Sequence, residues 1–109
     1  MPGSICDIVP SAAALLGAPG ADNALGLPGD PTRIVVLLVD GMGFELLPVL
    51  ADTAPTLAAV LAGRLGRLDR LECTFPSTTP TSLVSLGTGV RPGEHGVLGF
   101  TLNVPGTER

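Results

Sequence analysis

The chain has 109 residues, enough for one domain at most. Its 45% hydrophobic residues can build a core. Its 15% charged residues are few for so short a chain, so part of the surface is expected to be covered by more protein. The formal charge of −4, with only six basic residues, all arginine, excludes a basic nucleic-acid face.

Cys6 and Cys73 stand far apart in different contexts and are expected to be free thiols. The N-terminus has no basic region ahead of its apolar segment, and Ala12–Leu16 is too short for a signal core or a membrane span. The expected compartment is the cytoplasm, with no membrane partner. The glycines and prolines are scattered between apolar segments, which reads as loops rather than disorder.

Residues 1–32 are expected to form an N-terminal helix and loop. Ser11 can cap a helix running through Ala12–Leu16 to Gly17, although the start could lie earlier, near Asp7. Residues 17–31 read as loop. The apolar run Ile34–Val39, mostly β-branched, predicts a strand covered on both faces. It stops at Asp40, and Gly41 and Gly43 follow. Ligands in open α/β sheets bind where strands end at their carboxyl side. Asp40 is therefore either a metal- or phosphate-proximal carboxylate or a cap for the next helix, and the run alone does not separate the two.

Phe44–Leu50 should be helical, with Glu45 in the first turn, where the helix dipole favours negative charge; Pro48 fits only near a helix start or at a kink. A second helix is expected from Pro55 to Ala62, capped at Thr53 or Ala54. Leu57, Val60 and Leu61 would form its core face and Gly63 its stop. From Arg70 the pattern alternates, with Leu71, Cys73 and Phe75 on one face and Arg70, Glu72 and Thr74 on the other, which predicts a second strand. Strand, helices and strand make one βαβ unit with parallel strands. Asp40 and the residues after Phe75 would then meet at one sheet edge.

Those residues are rich in hydroxyl groups: Pro76-Ser-Thr-Thr-Pro-Thr-Ser82. Thr79 precedes Pro80, so it is held out of the α region, and proline suits the first helical position. Thr79 is thus the best cap for a helix whose apolar face would hold Leu83, Leu86 and Val90, ending at Gly87 or Gly89. A helix start is also an anion site, and a hydroxyl there lies near bound phosphate. A cation held by Asp40 would lower the hydroxyl's pKa and activate it as a nucleophile. As a mere cap, Thr79 would contribute roughly 1 kcal/mol. Its place after a strand that should lie beside Asp40 favours the nucleophile. Val90–Val97 reads as a turn-rich connection, and the alternation of Leu98, Phe100, Leu102 and Val104 predicts a third strand. An α/β enzyme sheet is rarely finished after three strands, so the chain is expected to be the N-terminal portion of something longer.

The run Ile34-Val-Val-Leu-Leu-Val-Asp40-Gly-Met-Gly43 resembles the opening strand and metal-binding aspartate of the alkaline phosphatase superfamily. Thr74-Phe-Pro, Leu86-Gly-Thr-Gly89 and Arg91-Pro-Gly-Glu-His95-Gly-Val97 resemble its nucleotide pyrophosphatase/phosphodiesterase (type I phosphodiesterase) branch. The resemblance spans residues 33–104 and implies a partial three-layer α/β/α sandwich with a mainly parallel sheet. Residues 33–109 would be the N-terminal part of an alkaline phosphatase-like catalytic domain. In that branch the nucleophile is the threonine of Thr-Phe-Pro, and the helix ends ten residues later. Thr74 is too far from Gly89 for this, and counting back from Gly89 lands on Thr79. The nucleophile is therefore carried to Thr79, with Thr78 second and Thr74 third.

The resemblance further implies hydrolysis of phosphodiester or pyrophosphate bonds in small, nucleotide-type phosphate esters. It implies two divalent metal ions, usually zinc, one of them on Asp40 and Thr79. The implied mechanism is double in-line displacement: activated Thr79 attacks phosphorus, and a metal-delivered hydroxide cleaves the phosphothreonine. The remaining Asp and His ligands would come from the missing C-terminal part of the same domain. His95, the single histidine, reads as part of a structural turn. The chain alone is expected to be inactive or nearly so, the activity belonging to the full-length parent. The alternatives are a phosphomonoesterase, phosphonate hydrolase or sulfatase on the same scaffold, or a non-catalytic binding module. No Cys/Ser-X-Pro-X-Arg run supports a sulfatase. No third glycine after Gly43 and no Gly-Lys-Ser/Thr run support a nucleotide-binding loop.

Overall fold

The computed structural model describes residues 3–101, 105 and 106. The chain divides into two compact units, one made of Met1–Val35 with Leu71–Arg109 and the other of Val36–Arg70. Among the described residues no helix is long and apolar enough to cross a membrane.

The first unit begins with strand β1, Gly3–Ser4, which runs parallel to β2, Leu71–Glu72, in the register Gly3 to Leu71 and Ser4 to Glu72. Ser4 then starts a 3-10 turn, Ile5–Asp7, through a reciprocal box. Its hydroxyl accepts from the Cys6 N–H at 3.2 Å, and the Asp7 carboxylate accepts from the Ser4 N–H at 2.9 Å. Helix α1 follows at Ile8–Leu15. It takes the earlier of the two expected starts, so Ser11 is no cap. It lies fully buried inside the helix, and its hydroxyl accepts from the Leu25 N–H at 3.2 Å.

The second unit holds a 3-10 turn at Phe44–Leu46, helix α2 at Leu47–Ala51 and helix α3 at Pro55–Leu61. These match the expected helices closely. Pro48 lies in the first turn of α2, Ala54 caps α3 in an extended conformation, and the chain turns at Gly63. Helices α2 and α3 pack on each other. Leu57 and Val60 are half-buried, whereas Leu61 is exposed. Arg70 pairs with Glu45 at 2.9 Å and lies over the Phe44 ring, 5.7 Å from its centroid.

The strand expectations need correction. Ile34–Val39 joins no sheet among the described residues, and Val35 and Leu37 are 92% and 84% exposed. A covered parallel strand needs neighbours that supply hydrogen bonds along its edges and side chains over its faces. The ladder partner of β2 is instead the N-terminal pair Gly3–Ser4. The two strands are parallel as expected, but the first of them is a different segment. The facing after β2 is also reversed, with Thr74 buried and Phe75 95% exposed. Residues 98–101 form no strand, and residues 102–104 of the expected third strand lie outside the described residues. The architecture described is mixed helix with a small parallel pair. It is compatible with part of an α/β fold.

Helix α4, Thr79–Thr88, is the centre of the first unit and packs on the 3-10 turn at residues 5–7 and on α1. Its buried face is not the apolar one. Thr81 and Ser85 are fully buried, while Leu83 is 46% exposed. Small side chains let the backbones approach, and the cost is that every buried hydroxyl needs a partner. No buried side-chain polar atom among the described residues lacks one. The helix ends at Gly89 in a left-handed conformation (φ 69°), and the Cys6 thiol lies 3.9 Å from the Val90 carbonyl beyond it. A Cβ built on Gly89 would stand 2.5 Å from Pro10 Cγ.

Gly89 therefore answers two constraints at once. Gly89→Ala should lower the melting temperature, with a loss above about 1 kcal/mol from positive φ and collision together. Gly87→Ala, where a Cβ meets nothing within 4 Å, is the control. It should hold or raise stability, by about 0.5–1 kcal/mol at most. Thermal denaturation of the two variants checks both.

Candidate active site

Three threonines compete for one role, and their hydrogen bonds separate them. Thr74 is buried, 8% exposed, and its hydroxyl donates to the Pro76 carbonyl at 2.8 Å. That commits its one proton, so Ser82 Oγ, 3.1 Å away, must be the donor to Thr74. Ser82 is in turn 3.2 Å from the exposed Cys73 thiol, whose S–H is left as the donor. A chain of hydrogens thus runs from Cys73 through Ser82 and Thr74 to Pro76.

Thr78 is the residue that caps α4, one position earlier than expected. Its backbone is extended (φ −70°, ψ 151°), and its carbonyl accepts the first helical bond, from the Ser82 N–H at 2.9 Å. Pro80 suits the first helical turn, but it does not hold Thr79 out of the α region as expected: Thr79 takes the first helical position ahead of it. Thr79 is therefore not the cap. The Thr78 hydroxyl makes no capping bond to the helix N–H groups. It donates instead to the Leu98 carbonyl at 3.3 Å, so Thr81 Oγ1, 2.7 Å away, donates to it.

Thr79 differs from both. It is half-buried in the first turn of α4, and its hydroxyl bonds to no described residue. Of the three hydroxyls, it alone has its proton and lone pairs uncommitted among the described residues. It also stands at the end of a ten-residue helix where backbone N–H groups lack intrahelical partners.

Asp40 belongs to the second unit. It lies in an exposed turn with Gly41, whose φ is 73°. The next helical segment is capped by Gly43, with no side-chain capping bond, so the capping role considered for Asp40 is not the one it plays. Its carboxylate has no hydrogen bond or ion pair among the described residues. Both expected donors, a carboxylate and an alcohol oxygen, are of a type that suits a divalent cation and are free to serve. They are two donors only. Among the described residues no three His, Cys, Asp or Glu side chains gather as a metal set.

His95 ends the one-turn helix α5, Pro92–His95, in the segment expected to be a turn. Its Nε2 lies 2.8 Å from Ser85 Oγ on α4, and its Nδ1 accepts from the Val97 N–H at 3.0 Å. The sequence contained a signal for this contact. Thr81, Ser85 and Gly89 are spaced four apart, a stripe of small residues down one helix face. The apolar stripe of Leu83, Leu86 and Val90 predicts a different buried face.

A parallel strand pair among helices is compatible with part of an α/β fold. Residues 34–109 match the family model of type I phosphodiesterase / nucleotide pyrophosphatase. The chain belongs to that family, whose chemistry is hydrolysis of the phosphodiester and pyrophosphate type. No curated protein and no solved structure matches it.

The hydrogen-bond order around Thr74 makes it a structural residue. Thr74→Val keeps the shape, removes both hydroxyl bonds and strands the Pro76 carbonyl. It should cost about 1–3 kcal/mol in chemical denaturation.

Proposed function

We propose that this chain carries the nucleophile of a metal-dependent hydrolase of phosphodiester or pyrophosphate bonds in small, nucleotide-type phosphate esters. Thr79 is the nucleophile, with Thr78 second, and Asp40 shares a divalent cation with it. The observation that carries this reading is the uncommitted Thr79 hydroxyl in the first turn of α4, after two threonines, Thr74 and Thr78, whose protons are already placed.

Thr79 Oγ1 would form a bond to phosphorus as the bond to the leaving oxygen breaks on the opposite side. Water would then cleave the resulting phosphate ester of Thr79. The N–H groups of the first turn of α4 face developing negative charge on the phosphoryl oxygens, where such donors contribute most. A bound divalent ion, zinc in the closest chemical precedent, would supply Lewis acidity and a lower hydroxyl pKa. Asp40 and Thr79 are the residues of this chain that would hold it. Two donors do not complete a zinc site, which needs at least three protein ligands. The remaining ligands, and those of a second ion, would come from a longer parent protein, to which the activity would then belong.

Assays of the parent with bis(p-nitrophenyl) phosphate test this. Thr79→Ala should lower kcat by about 1,000-fold or more, and Asp40→Asn should cost activity and bound metal together. Chelation should abolish turnover and added zinc should restore it. Turnover that survives Thr79→Ala but fails in Thr78→Ala would move the nucleophile by one residue. Turnover indifferent to both would dismiss the mechanism.

A further inference from the structure

We propose that His95 is a positioning residue for the threonine pair that opens α4, acting through the turn that follows it; this rests on the nucleophile reading above. The wiring begins with the tautomer. Nδ1 of His95 accepts from the Val97 N–H at 3.0 Å, so the ring proton is on Nε2. Nε2 then donates to Ser85 Oγ at 2.8 Å. The pair is thus arranged opposite to a nucleophilic Ser–His couple, in which the ring must accept. Ser85 is fully buried on α4, so it is a fixed anchor.

One residue beyond Val97 is Leu98, whose carbonyl accepts the Thr78 hydroxyl at 3.3 Å. The imidazole therefore joins two points of one helix. It is anchored on Ser85, past mid-helix, and through residues 97 and 98 it orients an acceptor beside the capping residue. Gly96 makes the reversal possible, its φ of 73° folding the Val97 N–H back onto the ring. With Leu98 in place, the Thr78 proton is held by a carbonyl and the Thr81 hydroxyl turns to Thr78. Neither then competes for the Thr79 oxygen. Without it, Thr78 can rotate to cap the helix N–H groups or bond its neighbour, and the nucleophile's surroundings change.

The test is a double-mutant cycle on the parent. His95→Ala and Thr78→Val should each lower kcat by about tenfold with KM nearly unchanged, and the double variant should lose little more than either alone. His95→Asn, whose Oδ1 can still accept from Val97, should recover most of kcat, whereas His95→Gln, which reaches Ser85 instead, should not. In the 109-residue chain, where His95 is the sole histidine, the imidazole 15N spectrum should show the Nε2–H tautomer. Multiplicative losses in the double variant, an Nδ1–H tautomer, or equal rescue by Asn and Gln would overturn the proposal. These outcomes, with Thr79→Ala inactive, would refute the positioning role alone. A parent still active as Thr79→Ala would refute the nucleophile reading alone.

Discussion

Helix α4 comes so close to the N-terminal turn that nothing larger than threonine is buried along the contact, and at Gly89 nothing at all can be carried. Pro10 and the Cys6 backbone occupy the space a side chain would need there. Such a contact cannot be filled with leucine. It is lined by Cys6, Ser11, Ala12, Thr81 and Ser85, and three of these five are hydroxyl residues with no exposed surface. A core of this kind is stabilised less by apolar area than by having every hydroxyl satisfied, because each one left alone would cost a desolvation penalty. The hydrogen bonds of Ser11 to the Leu25 backbone, of Thr81 to Thr78 and of Ser85 to His95 are therefore conditions of the packing.

The same requirement orders the surface above. Once Thr74 gives its proton to Pro76, and Thr78 its own to Leu98, the roles of Ser82 and Thr81 follow from donor counting. Two of the three threonines at the head of α4 are used up in holding the segment together. The third, Thr79, keeps its hydroxyl uncommitted among the described residues. Committed and uncommitted hydroxyls thus differ between nearby residues of one type, and the difference comes from the backbone carbonyls of Pro76 and Leu98.

The helices of the second unit were readable to within a residue or two, because their signals are local. Pro48, Ala54-Pro55 and Gly63 punctuate helices wherever they occur, and no distant partner is needed to interpret them. The head of α4 was legible to within one residue for the same reason: Pro80 determines where a helix can begin, but not which of Thr78 and Thr79 turns extended. The sheet was not legible. A β-branched run such as Ile34–Val39 states a preference, while pairing depends on which edge another segment reaches, and two residues as plain as Gly3 and Ser4 hold the edge of β2. The polar face of α4 was missed because hydroxyl residues are taken as exposed unless a partner is in view. The hydroxyl partners here are Thr78 and His95, and the cover comes from the chain's beginning. Asp40 remained recognisable through its glycine turn, although its helix-capping alternative fell to Gly43.

The open run at residues 34–39 has a practical side. Six successive apolar residues, with no charge and no proline among them, offer backbone groups that no described strand takes up. Sequences of that composition are templates for intermolecular strand addition and for cross-β stacking. In the isolated 109-residue polypeptide this short stretch is a site for self-association. Arg33 and Asp40, which bracket it, are its charged gatekeepers.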